Sequence, residues 1–178
     1  MNIRKTSFVA VALLSLATST SNAQAVPKRE GFWFNIGLGV GSLGCSDCEV
    51  RESGISGGLA LGATVSKHWL IGLFSNAWTR SEDGVTVTAS TVVAGARFYP
   101  SATNGFFING GIGIGALDLT LSGYGNLRET GAGALFGFGY DIPLGSAASL
   151  TAFWNGASMA SANGDANFGQ LGIGVTIH

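Results

Sequence analysis

Residues 170–178 alternate strictly between large apolar side chains and glycine or polar side chains. Successive side chains on a β-strand point to opposite faces, so this stretch would have one apolar face and one small, polar face. The same alternation recurs upstream, most clearly over 32–41, 106–116 and 131–142. Repeated along a secreted chain, it predicts a wall with lipid on one side and a narrow polar lumen on the other.

The first residues have the features of a targeting segment rather than of a folded element. Arg4 and Lys5 precede an apolar run over 8–16, and the small residues that follow allow cleavage after Ala23 or Ala25. That run is too short for a membrane-spanning helix, which needs about 20 apolar residues. We therefore divide the chain into a cleavable signal peptide at 1–23, a short N-terminal lead at 24–31 and one domain at 32–178.

Charge and glycine content narrow the class of protein further. Without Arg4 and Lys5, seven basic residues remain against ten acidic ones, a formal net charge of −3. No basic stripe is present, so we expect no nucleic-acid partner. All 29 glycines follow residue 30, far above the average usage of about 7%. Because they sit inside alternating segments without a collagen period, we interpret them as strand residues.

Eight strands fit into the domain, an even number that suits an antiparallel up-and-down transmembrane β-barrel. Closure would remove the sheet edges, which lipid cannot tolerate unpaired. The inward face of the third strand is not fixed by its sequence, and the two halves of the fourth disagree in phase, which suggests a bulge. The predicted strands lie at 32–41, 54–65, 69–79, 85–99, 106–116, 131–142, 149–156 and 167–178.

This topology places both ends of the chain on one side, which we expect to be the periplasm. The connections on that side would be short, whereas those facing outside would be longer on the whole, as in bacterial barrels. The expected periplasmic connections are 66–68, 100–105 and 143–148. The expected outer connections are 42–53, 80–84, 120–128 and 157–166.

The segments Phe106–Gly115, Gly131–Leu144 and Gln170–His178 together resemble the small eight-stranded outer-membrane barrels, the OmpA- and OmpX-like group and the outer membrane protein β-barrel domain family. The resemblance implies the outer membrane of a Gram-negative bacterium, with lipids and lipopolysaccharide as partners. It also implies that the assembly machinery reads the C-terminal strand, although the usual final aromatic residue is replaced by Ile177-His178. We expect a monomer.

Cys45 and Cys48 lie in the first outer connection. In an oxidising compartment this spacing predicts a disulfide that closes a short loop. A redox pair is the alternative, but that motif normally opens a helix in a thioredoxin-like fold. A metal site would need two further ligands, and no histidine lies in an outer connection.

The two histidines argue against catalysis. His68 and His178 both map to the periplasmic rim, whereas an enzyme acting on lipid A needs its base near the outer leaflet, beside a nucleophile and an orienting acid. We therefore expect no catalytic residue, no cofactor and no metal. A hydrolase that uses only carboxylates of the outer connections stays open as an alternative.

Two charged residues and one amide are predicted to face the lumen near the periplasmic ends of their strands. Asp141 and Asn109 point inward by the phase of their strands, and Arg97 does so if Phe98 faces lipid. We hypothesise that Arg97, Asn109 and Asp141 form one polar network, in which a buried ion pair would resist opening. The alternative is that each side chain meets water separately.

Function is less constrained than fold. An eight-stranded barrel is just wide enough for side chains to fill it, although the inward glycines would leave space for water. We expect an integral outer-membrane protein with a structural or surface-interaction role, short outer loops and no catalysis. A lipid A-modifying enzyme, a narrow channel and a soluble secreted barrel with an apolar interior stay open as alternatives.

Overall fold

The computed structural model describes residues 28–45, 50–121, 123, 125–162 and 164–178. The predicted signal peptide and most of the N-terminal lead lie outside these residues. Eight strands make up nearly all of the described chain. They are β1 (Phe32–Cys45), β2 (Glu52–Thr64), β3 (Trp69–Glu82), β4 (Val85–Phe98), β5 (Phe106–Leu121), β6 (Gly125–Pro143), β7 (Ala148–Ser161) and β8 (Gly164–Ile177).

The strands form one closed barrel in which each strand pairs antiparallel with its neighbours in sequence. β1 pairs with β8 from Phe34 opposite Ile177 to Cys45 opposite Ala166, so the ring has no open edge. The predicted all-β, eight-stranded up-and-down barrel is therefore confirmed. Within the described ranges, no helix is long and apolar enough to cross a bilayer.

The apolar face of the sheet points outward, as predicted for the strands with clear alternation. On β1, Leu38 and Val40 are 70% and 66% exposed, whereas Trp33 is fully buried inside the ring. On β5, Ile112 is 77% exposed. Aliphatic side chains covering the outside of a closed barrel are typical of a wall that faces hydrocarbon.

The structure settles the faces of β3 and β4. β3 alternates regularly and buries Leu70, Phe74 and Trp78 inside the barrel. Its pattern is weak in the sequence because its outward positions are apolar as well. β4 pairs residue by residue with both neighbours without an interruption. The bulge suggested by its sequence is therefore absent, and Arg97 faces inward.

We call the end of the barrel with the chain termini the terminal rim, formed by the connections 65–68, 99–105 and 144–147. The opposite end is the distal rim, where the described residues between strands are 50–51, 83–84, 123 and 162. The strands extend farther toward the distal rim than predicted, so the expectation of longer connections at 42–53, 80–84, 120–128 and 157–166 is wrong.

The hairpin between β3 and β4 shows how tight a distal connection is. Its turn is Asp83-Gly84, and both residues have positive φ, 48° and 80°. Two consecutive residues with positive φ match the twist of the flanking strands, and Asp-Gly is a favoured pair for such a turn. β3 and β4 therefore stay paired up to this turn, where Glu82 lies opposite Val85, instead of opening into a loop.

Large side chains fill the lumen, in contrast to the narrow polar interior that the sequence suggested. One buried cluster occupies the terminal half of the lumen and a second lies toward the distal rim. The first contains Trp33, Ala60, Leu70, Phe74, Val93, Tyr99, Phe107, Leu135 and Phe153, and the second contains Trp78, Ala89, Ala157 and Phe168.

The inward glycines make room for these rings. A Cβ atom added to Gly37 would lie 2.5 Å from Cε1 of Phe153, and one added to Gly139 would lie 2.5 Å from Cζ of Phe107. Both distances are too short for a real side chain, so the rings occupy the volume that other residues would use. The expectation that glycines leave space for water is wrong at these positions.

Candidate functional site

Asp141 is the centre of a buried hydrogen-bonded cluster at the terminal rim. It lies on β6 directly opposite Thr151 of β7, and it is fully buried. Tyr99 donates to Oδ2 of Asp141 at 2.6 Å, and the Thr151 hydroxyl donates to Oδ1 at 2.6 Å. Thr176 of β8 lies 2.6 Å from the Thr151 hydroxyl and joins the cluster. The two carboxylate oxygens therefore have donors from different parts of the barrel, one from the neighbouring strand β7 and one from the residue that follows β4.

Tyr99 follows the last residue of β4 and faces this carboxylate. Burial is the main cause that raises the pKa of the Tyr99 phenol, and the Asp141 carboxylate adds to it, against an opposing effect of Arg97. The phenol therefore stays protonated at neutral pH and acts as a donor. It has the chemistry of a fixed structural contact rather than that of a base.

A second cluster consists of side-chain amides and crosses the lumen. Asn109 of β5 donates to Asn155 of β7 at 3.3 Å, and Asn155 donates to Asn76 of β3 at 3.1 Å. Gln170 of β8 donates to the same Asn76 oxygen. This chain of amides joins four walls of the barrel, so it ties opposite sides of the ring together.

Arg97 lies opposite Asn109 in the register of β4 and β5, with only 3% of its surface exposed. Its guanidinium carbon is 4.0 Å from the Phe107 ring centroid and 5.0 Å from that of Trp33. Such contacts place the cation over the negative faces of aromatic rings. Nε and Nη1 of Arg97 have no hydrogen-bond partner within the protein.

The structure therefore brings Arg97, Asn109 and Asp141 to one end of the lumen but gives each a different set of contacts. Asp141 is bonded to the hydroxyl groups around it, Asn109 belongs to the cluster of side-chain amides, and Arg97 lies between aromatic rings. No salt bridge joins Arg97 to Asp141 in the part of the chain that the structure describes. A cavity of about 20 Å³ borders Arg97 and Asn109, which is room for about one water molecule.

Arg29 closes the terminal rim from outside the strands. Its guanidinium donates to the carbonyl oxygens of Ala102 at 3.2 Å and Asn104 at 2.7 Å. The guanidinium carbon also lies 3.6 Å from the centroid of the Tyr99 ring. The sequence offered no signal for this role, because Arg29 precedes β1 and belongs to no alternating segment.

Both histidines lie at the terminal rim. Nδ1 of His68 is 2.7 Å from the carbonyl oxygen of Tyr99. Burial lowers the pKa of His178 to about 4, and neither of its ring nitrogens has a hydrogen-bond partner in the protein. Over the described residues, no group of three His, Cys, Asp or Glu side chains could hold a metal ion.

The distal rim encloses a cavity of about 520 Å³, which we call the distal cup. Its described lining comes from the inward side of six strands and the β3–β4 turn, so it is the mouth of the lumen. Its floor is apolar and its edge is charged. The floor and wall contain Leu43, Trp78, Val87, Leu117 and Ala166, and the edge contains Cys45, Glu52, Arg80, Glu82, Asp83 and Val85.

Arg80 organises the charges at this edge. It donates to Glu52 from one nitrogen and to Glu82 from another at 2.5 Å, bridging β2 and β3. Cys45 lies at the same edge, while Cys48 lies outside the described residues, so the disulfide between them stays a prediction. The predicted polar network lies in the terminal half of the lumen, and the cup at the distal rim was not predicted from the sequence.

Comparisons with known proteins give a consistent result. The family model described as "Outer membrane protein beta-barrel domain" matches residues 8–178. Neisserial surface protein A (NspA) superposes with a TM-score of 0.71 at 13% identity, over 83% of this chain and 96% of that one. Ail, the attachment invasion locus protein of Yersinia pestis, gives a TM-score of 0.54 at 14% identity, over 83% and 99%.

A second structure of Ail, in complex with the heparin analogue sucrose octasulfate, gives a TM-score of 0.52 at 15% identity, over 83% of this chain and 99% of that one. No curated protein matches the sequence. At these identities the solved structures establish a shared fold.

Proposed function

This chain belongs to the outer membrane protein β-barrel domain family and lies in the outer membrane of a Gram-negative bacterium, and from that premise we propose that it is a closed, non-catalytic shell. In this proposal the barrel conducts no solute and presents its distal rim at the cell surface. Its outward aliphatic side chains contact lipid, and it works as a monomer.

The main support for this proposal is that side chains fill the lumen. The terminal rim is covered by Arg29, and behind it lie Tyr99, Phe107 and Phe153 of the first aromatic cluster. The amide cluster then crosses the ring between β3, β5, β7 and β8. The cavity beside this cluster has a volume of about 20 Å³, too small for a solute path through the barrel.

The positions of the titratable groups support a non-catalytic role. His68 and His178 lie at the rim that we place in the periplasm, far along the strands from the distal carboxylates. An acyl hydrolase needs a nucleophile and a base within hydrogen-bond reach. We expect the lipid A of cells with and without this protein to have identical acyl patterns by mass spectrometry. A changed pattern would support the alternative of a lipid A-modifying enzyme.

The charges of the distal rim bear on what the surface can bind. Ail has been crystallised with a heparin analogue, which is a polyanion. In this chain, the described distal strand ends and turns carry more acids than bases. The acids are Glu52, Glu82, Asp83, Asp118, Glu129 and Asp165, and the bases are Arg51, Arg80 and Arg128. Because like charges repel, we expect no binding of sulfated polysaccharides to this rim.

Assembly is proposed to depend on β8. This strand closes the ring by pairing with β1 on one side and β7 on the other. Its outward positions from Leu171 to Ile177 are aliphatic, which suits recognition of a terminal strand by the assembly machinery despite the missing final aromatic residue. Replacing Ile177 with Phe should leave insertion intact or improve it, as measured by the heat-modifiable gel migration of membrane fractions.

Planar-bilayer recording tests the closed lumen. We expect the wild-type protein to stay silent over a broad voltage range. Phe107→Ala and Phe153→Ala together remove two rings from the first cluster and should produce small conductance steps. The matched control is Leu150→Ala, which shortens an outward side chain on β7 and should stay silent. Regular conductance steps from the wild type would contradict the proposal.

A further inference from the structure

The distal cup combines an apolar floor with a charged edge. Its floor is apolar: Trp78 is almost fully buried, and the partly buried Leu43, Val87 and Leu117 pack against its cluster. The cavity of about 520 Å³ lies within the range of small-molecule sites, roughly 300–1,000 Å³. Apolar walls that no side chain of the described barrel covers are costly in water, unless an apolar group occupies the space.

The edge of the cup has an excess of negative charge. Its described lining carries Glu52, Glu82 and Asp83 against Arg80 alone, a formal charge of −2. The Glu52 and Glu82 side chains are still 55% and 63% exposed although both bind Arg80. Asp83, in the tight turn, takes part in none of the ion pairs between described residues.

We propose that the distal cup binds a small amphipathic cation, such as an aryl- or alkylamine, with its apolar part on the floor and its positive group at the carboxylates. The apolar part displaces water from Leu43, Val87 and Leu117, and the ammonium offsets the uncompensated charge near Asp83. This inference goes beyond the proposed closed shell, because the cup opens at the rim and requires no path through the lumen.

The other chemical classes match only one of the two surfaces. A polyamine would satisfy the carboxylates but leave the apolar floor in contact with water. A fatty acid would cover the floor but place its carboxylate beside three acids. A bare metal ion would need clustered ligands, and the described side chains form no such group. An amphipathic cation uses both surfaces at once.

Three probes of nearly the same shape separate the contribution of the apolar group from that of the positive charge. They are 4-phenylbutylamine, which is charged at pH 7, the neutral 4-phenylbutanol and the anionic 4-phenylbutyrate. Binding is measured by calorimetry on the full barrel in zwitterionic lipid nanodiscs, with empty nanodiscs subtracted. We expect the amine to bind roughly tenfold more tightly than the alcohol, and the carboxylate to bind more weakly than both. Added salt should reduce the advantage of the amine.

Two variants and one control locate the binding. Glu82→Gln with Asp83→Asn should weaken amine binding about tenfold to the level of the alcohol, and leave the alcohol unchanged. Leu117→Ala should weaken both, because it removes part of the apolar floor. Asp165→Asn removes a carboxylate of the same rim that does not line the cup, and it should change neither affinity.

The inference is overturned if the amine and the alcohol bind equally, if amine affinity survives Glu82→Gln with Asp83→Asn, or if no probe binds at millimolar concentration. Heat-modifiable gel migration of each variant confirms that the barrel is folded before binding is measured. The planar-bilayer result is independent, so silence there with failed amine binding would reject the cup and keep the closed shell.

Discussion

The two ends of this barrel are built from the same eight strands, but the terminal end is closed and the distal end is open. At the terminal rim, Asp141 has a donor on each carboxylate oxygen, and Arg29 covers the opening. At the distal rim, the strands end around a cavity with apolar walls, and carboxylates remain exposed to solvent. The comparison shows that a ring of strands does not by itself determine whether its mouth is open or closed.

The difference follows from which side chains the inward positions carry near each end. Threonine, tyrosine and asparagine side chains are short or rigid enough to meet across a narrow lumen, and each brings donors or acceptors that pair there. Leucine and valine at the distal floor offer no polar atoms, and the charged side chains above them reach outward to water. We therefore regard the terminal half as the stability element and the distal half as the part available for binding.

Removal of the Asp141 carboxylate should cause the largest loss of stability and so gives the strongest test of the difference between the two ends. Asp141→Ala leaves the buried hydroxyl of Tyr99 without its acceptor and leaves Thr151 only its contact with Thr176. Because two hydrogen bonds to a charged group are lost, we expect a loss of about 3–5 kcal/mol in the free energy of unfolding, measured by urea unfolding in lipid vesicles. Asp165→Ala, at the distal rim, should cost no more than about 0.5 kcal/mol. Equal losses would contradict a stability element confined to the terminal half.

Much of the outward pattern was predictable from the sequence, because β1, β5, β6 and β8 place most of their glycine and polar residues on one face over 32–41, 106–116, 131–142 and 170–178. The faces of β3 were not, since Trp69, Ile71 and Leu73 are as apolar as the inward Leu70 and Phe74. The pattern also fails near the distal rim. There the inward Val87 and Leu117 are apolar, whereas the outward Thr88 and Asp118 of the same two strands are polar, so the alternation of the lipid-facing wall is reversed.

The candidate site was predictable only in part. The inward direction of Asp141 and Asn109 follows from the period of two along their strands. Their hydrogen-bond partners do not follow from this period, because contacts such as that of Asn155 with Asn76 depend on how the closed sheet brings distant strands together across the lumen. The distal cup cannot be assembled from the sequence for the same reason, since its walls come from six strands.

Overfilling the lumen tests how tightly the aromatic cluster is packed. Gly37→Ala would place a Cβ atom against the Phe153 ring, and we expect it to lower the unfolding free energy by about 1–3 kcal/mol. Adding Phe153→Leu should restore part of that loss, which a simple backbone effect would not do. Gly145→Ala, where nothing lies within 4 Å of the added atom, is the control and should be nearly neutral.

Acid should destabilise the barrel through His178 at the terminal rim. Burial lowers the pKa of His178 to about 4 from its ordinary value of 6.5, so the unfolded chain takes up this proton first as the pH falls. Stability is fully present above pH 6.5 and declines between pH 6.5 and 4. Allowing for solvent screening of this partly exposed ring, we expect a loss of about 1–2 kcal/mol.

Replacing the ring identifies the origin of this pH dependence. His178→Asn should lack this part of the decline between pH 6.5 and 4, while it keeps the backbone hydrogen bond from residue 178 to Ala147. Urea unfolding at several pH values measures both proteins. Identical pH profiles would show that other groups govern the acid sensitivity.

The smallest effect is expected at the edge of the distal cup. Glu82→Gln removes one of the two carboxylates bound to Arg80, but all three side chains are exposed to water. Exposed ion pairs contribute about 0–1 kcal/mol, so we expect a change of less than about 1 kcal/mol in unfolding free energy. A larger loss would mean that the distal rim also holds the barrel together, and the contrast between the two ends would disappear.

The contact of Arg29 with the β4–β5 connection has a consequence for the use of this protein as a display scaffold. Arg29 is joined to carbonyls more than 70 residues farther along the chain, so the start of the domain is fastened to the rim instead of hanging free. A tag or fusion partner attached before Lys28 would have to leave beside Ser146, which accepts the Lys28 backbone hydrogen bond. Insertions in the turn at Asp83-Gly84 would instead project from the opposite end of the barrel, away from the hydrogen bonds of Arg29.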